Sequence, residues 1–164
     1  MKIHRWVKRT LIGAGVLALA IQFVPVSRTN PPIVKELNWD SPKTKAIAQR
    51  ACFDCHSNES KWPWYAYVAP MSWLIANDVK EARERFNFSE ISSEDRVGIL
   101  AKRINNGEMP LPKYLALHSE ARLSETEKKE YIAGLRRSFE LSGLGSNDTK
   151  DDEHTHTHEH KHKP

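Results

Sequence analysis

An all-α fold is predicted by three observations. Apolar residues recur at helical three-and-four spacing in successive segments. Serine caps, prolines and glycines punctuate those segments where helices should start and stop. No stretch alternates apolar and polar residues convincingly enough for a strand, and no internal repeat is present. A further apolar run near the N-terminus has the flanks of a membrane segment rather than those of a core helix.

That first run is led by Lys2, Arg5, Lys8 and Arg9 and extends from Leu11 to Val26, broken only by Gln22. Coiled from Thr10 to Val26 it measures roughly 25 Å, the short end of a bilayer span. The basic flank stays on the cytoplasmic face and sends the remaining chain outward, so residues 1–26 read as a signal anchor. Ala18-Leu19-Ala20 also satisfies a cleavage pattern, and cleavage after Ala20 would give a secreted chain. Against cleavage, apolar character continues through Ile21, Phe23, Val24 and Val26.

Residues 27–40 read as a linker, because Pro31-Pro32 favours an extended path. Ser41 with Pro42 then caps and opens a helix that runs through Ala46, Ile47 and Ala51. After Pro70, the spacing of Met71, Ile75, Val79, Ala82 and Phe86 predicts a second helix with Met71 on its core face. Ser92 or Ser93 opens a third, with Val97, Leu100, Ala101 and Ile104 on one side and Gly107 beyond its end. Ser124-x-x-Glu127 is a capping box for a fourth, continued by Tyr131, Leu135 and Phe139. Residues 41–141 therefore form one small helical domain, and residues 142–164 a separate tail.

At 164 residues and a formal charge of +4, the chain has room for one modest domain plus its appendages. Lysines and arginines are not interleaved with stacking aromatics, so a nucleic-acid partner is not expected.

The chemistry is concentrated in Cys52-Phe53-Asp54-Cys55-His56, a C-x-x-C-H pentapeptide. Two thiols three positions apart can each form a thioether to a porphyrin vinyl group, with the next imidazole beneath the iron as proximal ligand. The chain has only these 2 cysteines, so no disulfide framework competes for them. A structural zinc site wants a second ligand pair, and a dithiol redox pair wants a βαβ context; neither is visible. One covalent haem c is the expected cofactor, and it would add apolar surface to a small core.

Downstream lies Lys61-Trp62-Pro63-Trp64-Tyr65-Ala66-Tyr67, with Trp73 following. Trp62, Trp64 and Trp73 serve a small core, a porphyrin face, or both, with indole N–H groups able to reach propionates or backbone acceptors. The second axial ligand has three candidates. Met71 is assigned to the core. Met109, in Asn106-Gly107-Glu108-Met109-Pro110, sits in a turn where a flexible Gly and a rigid Pro can aim a neutral thioether that favours ferrous iron, and it ranks first. His118 ranks next, as a ligand or as a hydrogen-bond donor to a propionate; an open sixth position is the remaining option.

The order of C-x-x-C-H on an early helix, Met-Pro in a late loop and a capped terminal helix is similar to class I c-type cytochromes. More closely, Cys52 through Glu59, Trp62-Pro63-Trp64-Tyr65 and Ala69-Pro70-Met71-Ser72-Trp73-Leu74 resemble the bacterial haem-binding domain family. Asp78-Val79, Asn87-Phe88-Ser89, Gly107-Glu108-Met109-Pro110, Tyr114 and Leu117-His118 continue the likeness, which covers roughly residues 30 to 141. The resemblance implies a cytochrome c-like helical domain, membrane-anchored or exported, and names no electron partner.

The tail stands outside that likeness. His154, His156, His158, His160 and His162 alternate with Thr, Glu and Lys after an acidic cluster. With nothing apolar to bury, such a segment is expected to be disordered, and its imidazoles could chelate zinc, copper or nickel. The sequence as a whole leads to a single-pass inner-membrane protein whose haem domain lies in the periplasm. Its work would be one-electron transfer with His56 and Met109 on the iron, exchanging electrons with redox partner proteins. The alternative is a small-molecule sensor or peroxidase-like site with a labile distal ligand, for which His118 or Glu108 could supply acid–base chemistry.

Overall fold

The structure, a computed structural model, describes residues 2–92 and 97–144. Ser93 as a helix opener and the tail histidines lie outside the described residues. Among the described residues there are seven α-helices, joined by short 3₁₀ turns, and no strand, only one parallel bridge between Lys35 and Glu90. The all-α expectation holds. The described chain gathers into two compact units: residues 2–36 with 48–91, and residues 37–47 with 92 and 97–144.

The first unit begins with α1 (Lys2–Ala20), prolonged by a 3₁₀ turn at Ile21–Phe23. An amphipathic core helix hides one face, but here Trp6, Leu11, Ile12, Val16, Leu17 and Leu19 are all exposed. His4–Phe23 is long and apolar enough to cross a membrane by length and composition. The stretch after it is extended, as Pro31-Pro32 requires, and it is tied down: Val34 and Lys35 donate their amides to the Ser89 carbonyl at 2.9 and 3.0 Å.

α2 (Pro42–Ala51) starts where the sequence places it, the Thr44 amide donating to the Ser41 hydroxyl at 3.2 Å. α3 (Phe53–His56) is a separate single turn, and α4 (Met71–Arg85) follows a 3₁₀ turn at Trp64–Tyr67. The core of this unit is built on Ala48, Ala51, Phe53, Ala66, Val79, Phe88 and Ile91. Phe88 is its hub, with Phe53 at 5.3 Å and Phe86 edge-on at 4.6 Å. Two helix expectations change. Phe86 terminates α4 in an extended conformation instead of continuing its apolar face. Met71, assigned to the core by spacing, is exposed: as the first residue of α4 it precedes the turn where packing begins.

The second unit holds α5 (Val97–Asn105), α6 (Pro112–Leu115) and α7 (Glu125–Leu141). Its core comprises Leu37, Ile47, Val97, Ala101, Ile104, Leu123, Tyr131, Leu135 and Phe139. The capping box closes as read from sequence: the Glu127 amide donates to the Ser124 hydroxyl at 3.2 Å and the Ser124 amide to the Glu127 carboxylate at 2.9 Å. Gly107 takes φ +71° one turn past α5, where a side chain would be strained.

Gly134 has a different reason to be glycine. Its Cα passes so close to the buried Thr44 side chain that a Cβ would overlap the Thr44 hydroxyl and crowd its methyl. Thr44 is β-branched and packed, so it cannot swing aside. Gly134→Val is expected to destabilise the protein by about 2–3 kcal/mol through overpacking, measured by denaturant unfolding, with Gly134→Ala intermediate.

Nearby, the Asp40 carboxylate receives Arg137 through two bonds of 3.0 and 2.7 Å. Burial works to raise its pKa, but hydrogen bonds from Thr44 and Arg137 and the Arg137 charge together hold it below the ordinary value. The stability this lends is complete above the unfolded Asp pKa of about 3.9 and is lost as pH falls through the lower folded value. Asp40→Asn should therefore flatten the acid limb of a stability–pH curve below about pH 4 and cost stability at neutral pH.

Candidate haem site

α2 stops at Ala51 because Cys52 leaves the helical conformation, at φ −129°. Its carbonyl then starts a new tight turn, accepting the amides of Cys55 at 3.1 Å and His56 at 2.9 Å. One turn thus carries both thiols and the imidazole. Cys52 and Cys55 are half-buried and not joined in a disulfide.

The His56 ring is oriented from behind. Its Nδ1 lies 3.0 Å from the Phe86 carbonyl oxygen, which can only accept. Nδ1 must therefore carry the proton in the neutral ring, leaving the lone pair on Nε2. The His56 carbonyl accepts the Phe88 amide at 2.8 Å, so residues 86–88 hold His56 by ring and backbone together.

The residues following His56 are locked into a polar network. Ser57 is fully buried and its hydroxyl donates to the Phe53 carbonyl at 2.8 Å. The Asn58 side chain donates to the Pro32 carbonyl at 2.9 Å and to the Glu90 carboxylate at 2.8 Å, and accepts from Asn87 at 2.9 Å. Its amide donates to the Ser89 hydroxyl at 2.9 Å. Arg83, from α4, reaches into the same region. It donates to the Ser57 carbonyl at 2.8 Å, and to the Thr29 carbonyl, the Asn30 side chain and the Ser60 hydroxyl at 2.9 Å each. Burial pushes the guanidinium down from its ordinary pKa, opposed by Glu90 and by Cys55, whose sulfur lies in its field.

Arg83 also lines a cavity of about 510 Å³ together with Trp62, Trp73, Asn77, Val79 and Lys80. The indole N–H groups of both Trp62 and Trp73 are buried without a protein acceptor. A buried unpaired donor is costly, and both of these belong to the first unit. The tautomer of His56 and the paired thiols fit a haem.

The other residues singled out by sequence are placed differently. Trp64 is 78 % exposed and makes a T-shaped contact with Tyr65 at 5.7 Å. Met109 is half-buried in the second unit, its amide donating to the Arg103 carbonyl at 3.2 Å within the turn after α5. His118, also in the second unit, stacks on Tyr114 at 4.2 Å, and its Nδ1 is 3.1 Å from Glu120. His154, His156, His158, His160 and His162 lie outside the described residues. Among the described residues no cluster of three or more His, Cys, Asp or Glu is arranged to hold a metal ion.

The helical fold and this site define a haem-binding protein. The chain belongs to the haem-binding domain family, whose model matches residues 16–137. That match begins inside α1, earlier than the likeness read from sequence. No curated protein and no solved structure matches the chain.

Sequence reasoning missed Arg83 and the Phe86 carbonyl. An arginine on the polar side of an amphipathic helix carries no distinguishing mark, and a backbone acceptor has no sequence signal. Asn58, Asn87 and Ser89 stood in the motifs of the resemblance without a role. Arg83→Lys should cost about 2 kcal/mol in thermal or denaturant unfolding, because an ammonium cannot reproduce the planar fork. Arg85→Lys, whose guanidinium meets Glu81 at 3.5 Å on the surface, should change stability by less than about 0.5 kcal/mol.

Proposed function

We propose that this is a c-type haem protein, anchored in the bacterial inner membrane by α1 with its haem in the periplasm, that carries single electrons between partner proteins. The observation that carries the reading is the His56 ring, set by the Phe86 carbonyl to offer Nε2, on the same turn as two thiols. Each thiol adds across a porphyrin vinyl group, sulfur to one carbon and hydrogen to the other, so attachment needs no leaving group and no oxidant. When bound, the haem supplies a one-electron iron couple.

The chain's own residues do the rest. His56 supplies the proximal nitrogen, and its hydrogen bond to Phe86 raises ring basicity and prevents rotation. The unpartnered indole donors of Trp62 and Trp73 would suit acceptor groups of the haem, and Arg83 fastens the residues that follow the turn. Met109, ranked first by the sequence, would supply a soft, neutral thioether, a donor that suits ferrous iron. His118 is held by Tyr114 and Glu120 within its own unit, which favours a supporting role over ligation.

With matured protein, haem should remain on the polypeptide after denaturation and acid–acetone extraction. Cys52→Ala with Cys55→Ala should abolish that retention; free haem released from the wild type would overturn the covalent reading. Met109→Ala should lower the reduction potential and permit carbon monoxide binding, followed by absorption spectra. If His118→Ala instead converts the spectrum to high spin, the iron is held by two histidines. A periplasmic reporter fused after Phe139 should be active and a cytoplasmic one silent.

A further inference from the structure

Gln22 looks out of place in the apolar run, and its contacts explain it. From the last turn of the membrane-length helix, its side-chain carbonyl accepts the Ala69 amide at 2.9 Å. Its amide group donates to the Ala69 carbonyl at 3.3 Å and to Ala18 at 3.0 Å. The side chain thus pairs with both the N–H and the C=O of one residue, as a neighbouring strand would. A second tie lies close by: Arg28 donates to the Ala66 carbonyl at 3.4 Å and lies 4.5 Å over the Tyr67 ring.

The segment held by these ties is unusually apolar on its outside. Trp64, Tyr67, Val68, Met71 and Leu74 are all exposed, Leu74 by 57 %. Scattered apolar residues need no explanation, but these five fall within eleven consecutive residues, a segment fastened to the end of α1. We propose that Trp64–Leu74 is a membrane-docking surface that seats the first unit on the outer face of the bilayer spanned by α1. The proposal rests on the anchor reading given above.

The end of the span decides the occupant. Phe23 ends the membrane-length helix on the side away from the basic flank, so it stands near the level where hydrocarbon gives way to headgroups. Ala69 is bonded to the residue before it, which brings Trp64–Leu74 to that level. Tryptophan and tyrosine prefer this layer, with the ring in the apolar boundary and the N–H or O–H in the wet one. Arg28 beside Tyr67 can face lipid phosphates. A second copy or a soluble partner would have to reach this face through space the bilayer fills.

The test uses the full haem-loaded chain in vesicles of phosphatidylcholine and phosphatidylglycerol. Trp64→Cys, Leu74→Cys and, as an aqueous reference, Glu59→Cys are labelled with a nitroxide; the parent chain, its own thiols held in thioethers, should take up no label. Paramagnetic accessibility to oxygen and to a water-soluble nickel chelate is then compared. Labels at positions 64 and 74 should favour oxygen over nickel several-fold more than the label at 59. Adding Gln22→Ala should raise nickel access at 74. Equal nickel access at all three positions, in protein that resists a carbonate wash, would overturn the docking surface while leaving the anchor intact. Release of the parent chain by the carbonate wash would defeat the anchor reading, and the docking surface with it.

Discussion

One constraint governs the first unit: a single turn must present two thiols and an imidazole in fixed directions without a sheet or a long helix beneath it. A four-residue helix has no stability of its own, since nucleation costs more than one or two hydrogen bonds return. The turn at Cys52–His56 is therefore held by side chains from elsewhere. Phe86–Ser89 grip its end, Asn58 joins those residues to Pro32 and Glu90, and Arg83 fastens Ser57 and Ser60 to Thr29 and Asn30. Networks of this kind are stable only when nearly every donor and acceptor is used. Here they are largely satisfied; the exceptions among the described residues are the indole N–H groups of Trp62 and Trp73.

That architecture explains what the sequence made legible. Local rules were sufficient wherever structure is local. The Ser41 cap, the Ser124–Glu127 box, the helices around Val79, Ile104 and Leu135, and the glycine past α5 are all found as read. The C-x-x-C-H turn was legible because its spacing is the chemistry. What was lost is non-local. Arg83 looks like any solvated helix arginine until Thr29 and Ser60 are brought to it. Residues 27–40 read as a spacer on composition, yet Thr29, Asn30, Pro32 and Lys35 all hydrogen-bond to the segments around the haem motif. Periodicity also misassigned Met71, because spacing describes a helix face and cannot say where along the helix packing begins.

Gln22 shows the same limit from the other side. In a hydropathy reading it is a blemish in an apolar run; in the folded chain it is the residue that joins α1 to the aromatic segment. A polar side chain at the end of an apolar helix is tolerated because both of its functional groups are satisfied by protein. The position is informative because the sequence rule alone disfavours it.

The distribution of the expected iron ligands across the chain carries a final consequence. His56 is held rigidly inside the first unit by backbone contacts on two sides, whereas Met109 belongs to the second unit, at a glycine-led turn. A ring fixed in this way tolerates little displacement. Met109 answers to a different set of contacts, those of Arg103 and the turn after α5. Substitutions around Arg83 should then act on the His56 turn and on the stability of the first unit, while those around Arg103 should act on the setting of Met109. The two effects are separable because no residue in the Arg83 network described above belongs to the second unit.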